Sequence, residues 1–260
     1  KQDEMAGYVD FRQHLYRWLT LDLGVRIDHH SHVGTEWVPQ AGLSFHLPAN
    51  AEIKLMAGKG FRYPTIRELY MFRPANPDLR PERLWNYELA WSQRSMNGRL
   101  FYGVNVFYID GENLIMRMPV DGRQMNINTG KIENTGAEVQ FAYRFSPVWS
   151  VDANYSYLHM SKPIPGAPGQ KFYVGAVYKP GRFTLNVNVQ SIFDLYTNEG
   201  CTEKEDFTTL NAKAAYRFGT RDKGLNLFVK GENLTATRYS INEGFPMPKA
   251  IFMGGIDVTF

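Results

Sequence analysis

The side chains best suited to chemistry in this sequence are soft donors. His29, His30, His32, Met71, Met116, Met118, Met125, His159, Met160 and Met247 all fall at or near chain reversals. Thioether and imidazole suit soft or borderline ions, Cu(I) and haem iron among them, which makes His29, His30, His32, Met116 and Met118 the metal candidates. A second set is aromatic and basic. Arg67, Tyr70, Phe72 and Arg73, close to Tyr63, offer stacking surface and hydrogen-bond donors to a small ligand. The plainer reading stays open beside both: methionine fills irregular gaps, histidine is an ordinary surface residue, and aromatics pack a loop onto its base. No GxSxG elbow, phosphate loop or HExxH pair occurs, so no catalytic constellation is expected. Cys201 is the only cysteine, which excludes an internal disulfide framework and zinc-knuckle spacing.

The elements that must position these residues read as strands. Leu19, Leu21, Leu23, Val25 and Ile27 share one face while Thr20, Asp22, Gly24, Arg26 and Asp28 share the other. The same alternation returns from Trp149 to Tyr157, from Phe183 to Gln190 and from Leu210 to Phe218. One stretch breaks it. Residues 61–82 carry Pro64, Pro74, Pro77 and Pro81, each of which would remove a ladder donor, so this is a long loop held partly extended. Loops of that length are functional or disordered, and Tyr63, Ile66, Leu69, Tyr70, Met71 and Phe72 argue for order.

With 43% hydrophobic and 14% aromatic residues but a mean hydropathy of −0.38, the chain has no apolar run long enough for a membrane helix. That leaves room for a membrane barrel, whose lipid face takes only alternate residues. A soluble β-sandwich binding module would alternate too. Three features favour the barrel. Trp85, Tyr87, Trp91, Trp149, Tyr216 and Phe218 suit interfacial girdles, the strands are long, and charges such as Glu52, Lys54, Glu138, Arg144, Asp152, Lys213 and Lys230 repeat on the polar faces. Connections also alternate in length. Short turns near 47–51, 95–98, 146–148, 179–182 and 219–224 separate longer loops at 29–36, 61–82, 119–124, 161–170, 196–206 and 239–249. The fold expected is all-β, an antiparallel transmembrane β-barrel contributing about thirteen strands. A net charge of +3, with scattered Lys and Arg, gives no reason to expect nucleic acid.

In this frame the chain resembles the C-terminal part of a TonB-dependent outer-membrane receptor. The likeness rests on GKGFRYPTIRELY followed by NPDLRPE, on Asn128, Gly130, Asn134, Gly136 and Glu138 as an NxGxxxNxGxE strand, on LFVKGENLTATRY and on the terminal Phe260. The resemblance implies a barrel of about twenty-two strands around a plug, with residues 1–260 as the C-terminal portion of one barrel domain. It implies that the last strand ends in the periplasm, so that the long loops are extracellular. It also implies, in the Gram-negative outer membrane, capture of a ferric siderophore, cobalamin, haem or copper for TonB-energised import. No bond chemistry and no resident cofactor are implied, the cargo itself carrying Fe, Co or Cu. The implied partners are the N-terminal plug and remaining barrel strands, TonB with its inner-membrane energising complex, the barrel-assembly machinery, outer-membrane lipid and a small metal-chelate ligand. The ligand-contacting residues expected are Arg67, Tyr70, Met71, Phe72, Arg73, Met116, Met118, Met125, His159, Met160 and Met247. Haem receptors of the family commonly carry a histidine between the two boxes, and residues 65–75 hold none. A passive channel or hydrophobic-compound transporter without a plug is the alternative.

Overall fold

The computed structural model describes residues 3–71, 74–219 and 223–260. In chain order the elements are β1 (Glu4–Tyr16), β2 (Leu19–His30), β3 (Gly34–Leu47), β4 (Ala51–Arg62), the short helix α1 (Ile66–Tyr70), β5 (Glu82–Ser95) and β6 (Leu100–Glu112). There follow β7 (Ile115–Val120), β8 (Arg123–Asn128), β9 (Ile132–Arg144), β10 (Trp149–Met160), β11 (Pro168–Tyr178) and β12 (Phe183–Tyr196). The chain ends with β13 (Lys204–Gly219), β14 (Gly224–Glu232), β15 (Ser240–Asn242), β16 (Phe245–Pro246) and β17 (Ile251–Thr259). Thirteen strands form one sheet in the order β1-β2-β3-β4-β5-β6-β9-β10-β11-β12-β13-β14-β17. The β7–β8 and β15–β16 pairs are separate two-stranded ribbons. One continuous meander is not two packed sheets, so the sandwich reading falls.

Contacts group the chain into two compact units. The first holds residues 1–91, 105–136 and 160–162, the second residues 92–104, 137–159 and 163–260. In the first, β1 to β4 pair antiparallel with Val9 beside Val25 and Leu21 beside Leu43, which in turn faces Leu55. Most side chains on this face are apolar. The other face buries polar groups instead: Thr20 Oγ1 lies 2.9 Å from His14 Nδ1 and 3.0 Å from His46 Nε2, and Asp28 is 1% exposed. In the second unit, β11 to β14 and β17 repeat the division. Asn211 Nδ2 donates to Asn188 Oδ1 at 2.9 Å on the polar face, while Val229, Ile256 and Val258 are each more than 60% exposed.

This is an inverted distribution. Among the described residues the buried hydrophobic side chains are Leu69, Leu79, Ile192 and Leu195. Burying one Val, Leu or Ile is worth about 1.5–3 kcal/mol, so a sheet that leaves a whole apolar face outward is stable in hydrocarbon rather than in water. The sheet strands run from 9 to 16 residues, long enough to cross a bilayer when tilted.

Three sequence expectations need correction. Residues 29–36 are not a long loop, because β2 continues to His30 and β3 starts at Gly34, leaving a three-residue reversal. Residues 119–124 are the tip of the β7–β8 hairpin, closed by Asp121 and Gly122 at φ 49° and 74°, the left-handed pair that an Asp-Gly turn supplies. The NxGxxxNxGxE motif is likewise divided: Asn128 ends β8 and Gly130 lies in the connection, so only Asn134, Gly136 and Glu138 belong to β9.

Candidate functional site

Residues 63–71 and 74–81 form the centre of the first unit's loop cluster. The first of these segments contains a short helix that proline-based reasoning missed. Thr65 caps α1: its Oγ1 accepts from Glu68 N at 3.2 Å, and Glu68 Oε2 accepts from Thr65 N at 2.7 Å. The Thr-x-x-Glu spacing is a capping box and could have been read directly from the sequence. Leu69 and Leu79, 3% and 6% exposed, give the loop its own small apolar anchor.

Arg62, the last residue of β4, clamps both ends of this loop. Its Nε and Nη2 donate to Glu82 at 2.7 and 2.8 Å, and its Nη1 and Nη2 to Glu68 at 2.9 and 3.1 Å. Two carboxylates thus share one planar fork, which only a guanidinium can satisfy. Burial pushes the Glu68 carboxyl up, but the bonds from Arg62 and from Thr65 outweigh it and hold the group below the usual carboxylate range. Beside the clamp, Tyr63 donates to the carbonyls of Asp28 and Gly34, each at 3.2 Å, and its ring lies 4.8 Å from that of His30. Burial, then the charge of Asp28, pushes the Tyr63 hydroxyl up. A second network surrounds buried Glu36, which accepts from Lys59 at 3.0 Å and from Arg83 Nε at 2.9 Å.

The loop is fastened to the β7–β8 hairpin. Asn126 N donates to Pro74 O at 2.7 Å, and Asn76 Nδ2 to Asn126 O at 2.9 Å. Asn128 grips Arg80 twice, accepting from its N–H at 2.9 Å and donating to its carbonyl at 3.0 Å, while also donating to Asn113 O at 2.7 Å. Glu82 Oε1 accepts from Ile115 N at 2.8 Å, so the clamp reaches the hairpin as well.

Of the expected ligand-contacting residues, one group lies on two segments that are fastened to each other. Arg67, Tyr70 and Met71 are exposed on and after α1, next to the hairpin that carries Met116, Met118 and Met125. Phe72 and Arg73 lie outside the described residues. His159 and Met247 belong to the second unit, where Met247 N donates to Tyr239 O at 2.9 Å; Met160 belongs to the first. The three amino-terminal histidines divide. His29 is on the apolar face with its Nδ1 2.9 Å from Thr35 Oγ1, whereas His30 is buried on the polar face. His30 Nδ1 accepts from His32 N at 3.2 Å, and the two rings are 6.2 Å apart. Adjacent strand residues point to opposite faces, so His29 cannot join His30 at one ion. Among the described residues no three His, Cys, Asp or Glu side chains gather as a metal centre. Glu68 and Asn76 fall inside the two boxes and Asn128 inside the strand motif on which the resemblance rests, so their positions were marked in the sequence but their partners were not; Asn126, whose partners are distant in sequence, was missed.

A long-stranded antiparallel meander with one exposed apolar face and one polar face fits the wall of a membrane β-barrel. The family model for "TonB dependent receptor-like, beta-barrel" matches residues 1–234, and the chain belongs to that family. Its members are receptors and transporters, not enzymes. The chain is 24% identical over 258 residues to the vitamin B12 transporter BtuB of Photobacterium profundum, a match covering 94% of this chain and 42% of that protein. Among solved structures it resembles the siderophore receptor PirA from Pseudomonas aeruginosa, with TM-score 0.79, 18% identity and coverage of 100% of this chain and 47% of the other. It also resembles the copper transporter OprC, with TM-score 0.84, 16% identity and coverage of 100% and 48%. At these identities the structural likeness is one of fold. The chain spans less than half the length of each of these relatives.

Proposed function

We propose that residues 1–260 are part of one barrel domain of a receptor in the Gram-negative outer membrane. This receptor captures a scarce metal chelate outside the cell and imports it with energy delivered through TonB to a plug outside these residues. The observation that carries the reading is the pair of loop segments 63–71 and 74–81, clamped at Arg62 and fastened to the β7–β8 hairpin in a chain of the receptor family. Such a cluster holds Arg67, Tyr70 and Met71 exposed on a rigid base, which lowers the ordering cost of binding. Vitamin B12, siderophore and copper relatives set the range of cargo. The absence of histidine from residues 65–75 favours cobalamin, a ferric siderophore or a copper complex over haem.

Uptake in cells expressing the full-length protein tests this. Radiolabelled cobalamin, a ferric catecholate and a copper complex are offered to strains with and without TonB. We expect accumulation of one chelate that stops when TonB is removed. Equal accumulation in both strains, or none of any chelate, would overturn the reading.

A further inference from the structure

The β7–β8 hairpin has two faces with different surroundings. In its register Arg117 pairs with Asn126 and Ile115 with Asn128. This is the face, together with the β8 edge, that the 63–81 loop occupies through Pro74, Asn76 and Arg80. The other face is formed by Met116 beside Ile127, Met118 beside Met125, and Val120 beside Arg123. Met118 is 40% exposed, and Met116 and Met125 are half-buried.

Directly opposed residues on such a ribbon have Cβ atoms about 4.5–5.5 Å apart, and the next position on the same face follows about 7 Å along the strand. Three unbranched thioethers are therefore placed on one surface with side chains long and flexible enough to meet. We propose that Met116, Met118 and Met125 form a binding site for a soft monovalent metal ion, Cu(I), at the outer loops. Three neutral sulfur donors match Cu(I) and offer little to Zn(II) or Mg(II), which require nitrogen, thiolate or oxygen ligands. Arg123 shares the face and adds positive charge, which penalises a divalent ion more than a monovalent one. The hairpin is already held by its opposite face, so the thioethers are presented without the cost of ordering a free loop. The proposal rests on the loop cluster being ligand-facing. Because binding is measured apart from uptake, the site and the transport function can each fail alone.

The test uses full-length receptor in detergent under anaerobic conditions, with Cu(I) supplied as the ion from a bicinchoninate buffer. One Cu(I) per receptor is expected, with sulfur neighbours in X-ray absorption at the copper edge. Ag(I) should displace it and excess Zn(II) should not. Affinity should fall at least about tenfold in the Met118→Leu/Met125→Leu double variant, whose side chains keep nearly the same volume. Met253→Leu, on β17, should leave it unchanged. No Cu(I) uptake, a shell of nitrogen and oxygen alone, displacement by Zn(II), or unchanged affinity in the double variant would overturn the site. The absorption readout on the unmodified protein decides the matter even if the variant fails to fold.

Discussion

Arg62 is the residue on which the loop cluster depends, because it satisfies two carboxylates at once from the end of β4. Its side chain is 42% exposed and those of Glu68 and Glu82 are 23% and 18%, so the clamp is intermediate between a surface and a buried pair. Losing it should cost about 1–3 kcal/mol of loop docking, without unfolding the sheet. Arg62→Lys should recover only part of this, since one ammonium cannot fork to both partners. The clamp is also acid-sensitive. A carboxyl held below its unfolded value adds stability that is complete above that value and is lost as pH falls through the lowered one. The Glu68 contribution should thus persist from neutral pH down to about 4.3 and disappear below it. Hydrogen exchange of residues 65–71, corrected for intrinsic rates, reads both effects. Protection lost already at about pH 5.5, more than a unit above the ordinary glutamate value, or a fully rescued Arg62→Lys, would refute the clamp. None of this was legible from Arg62 alone, whose partners lie 6 and 20 residues away.

At the scale of elements, period-two patterning located the strands because a one-residue slip would turn every apolar side chain to the wrong face. It could not see the features that break the period. The capping box at Thr65 to Glu68 and the Asp121-Gly122 turn were both written in local residue types, yet the prolines of 61–82 and the polar residues of 119–124 suggested irregular loops. The His-rich stretch near residue 30 looked like a loop for the same reason, although the strand pairing there continues to His30 and Gly34. What no local reading could supply is the joining of two loops about 50 residues apart through Asn76 and Asn128. We expect Asn76→Ala or Asn128→Ala to raise hydrogen exchange in residues 63–81 and 113–131 together, each change costing about 1–3 kcal/mol of docking. Exchange that rises only around the substituted residue would show that the loops move independently.

Across the whole chain, the inversion of polarity was the most legible property. Alternation with charges on one face and valine, leucine and aromatics on the other led to a membrane meander, and the thirteen-stranded sheet has that division. The ligand was not legible, since specificity depends on which exposed side chains of several loops meet; Arg67, Tyr70 and Met71 lie on a loop fastened to the hairpin through the face opposite its methionines, and His29 faces away from His30. The full-length protein purified in detergent from outer membranes of metal-limited cells, analysed for metal content and bound mass, gives the most direct check. We expect near-stoichiometric metal chelate in the unmodified receptor and its loss in the Asn76→Ala/Asn128→Ala form. Membrane-extracted protein that carries no chelate in either form would contradict capture by these loops.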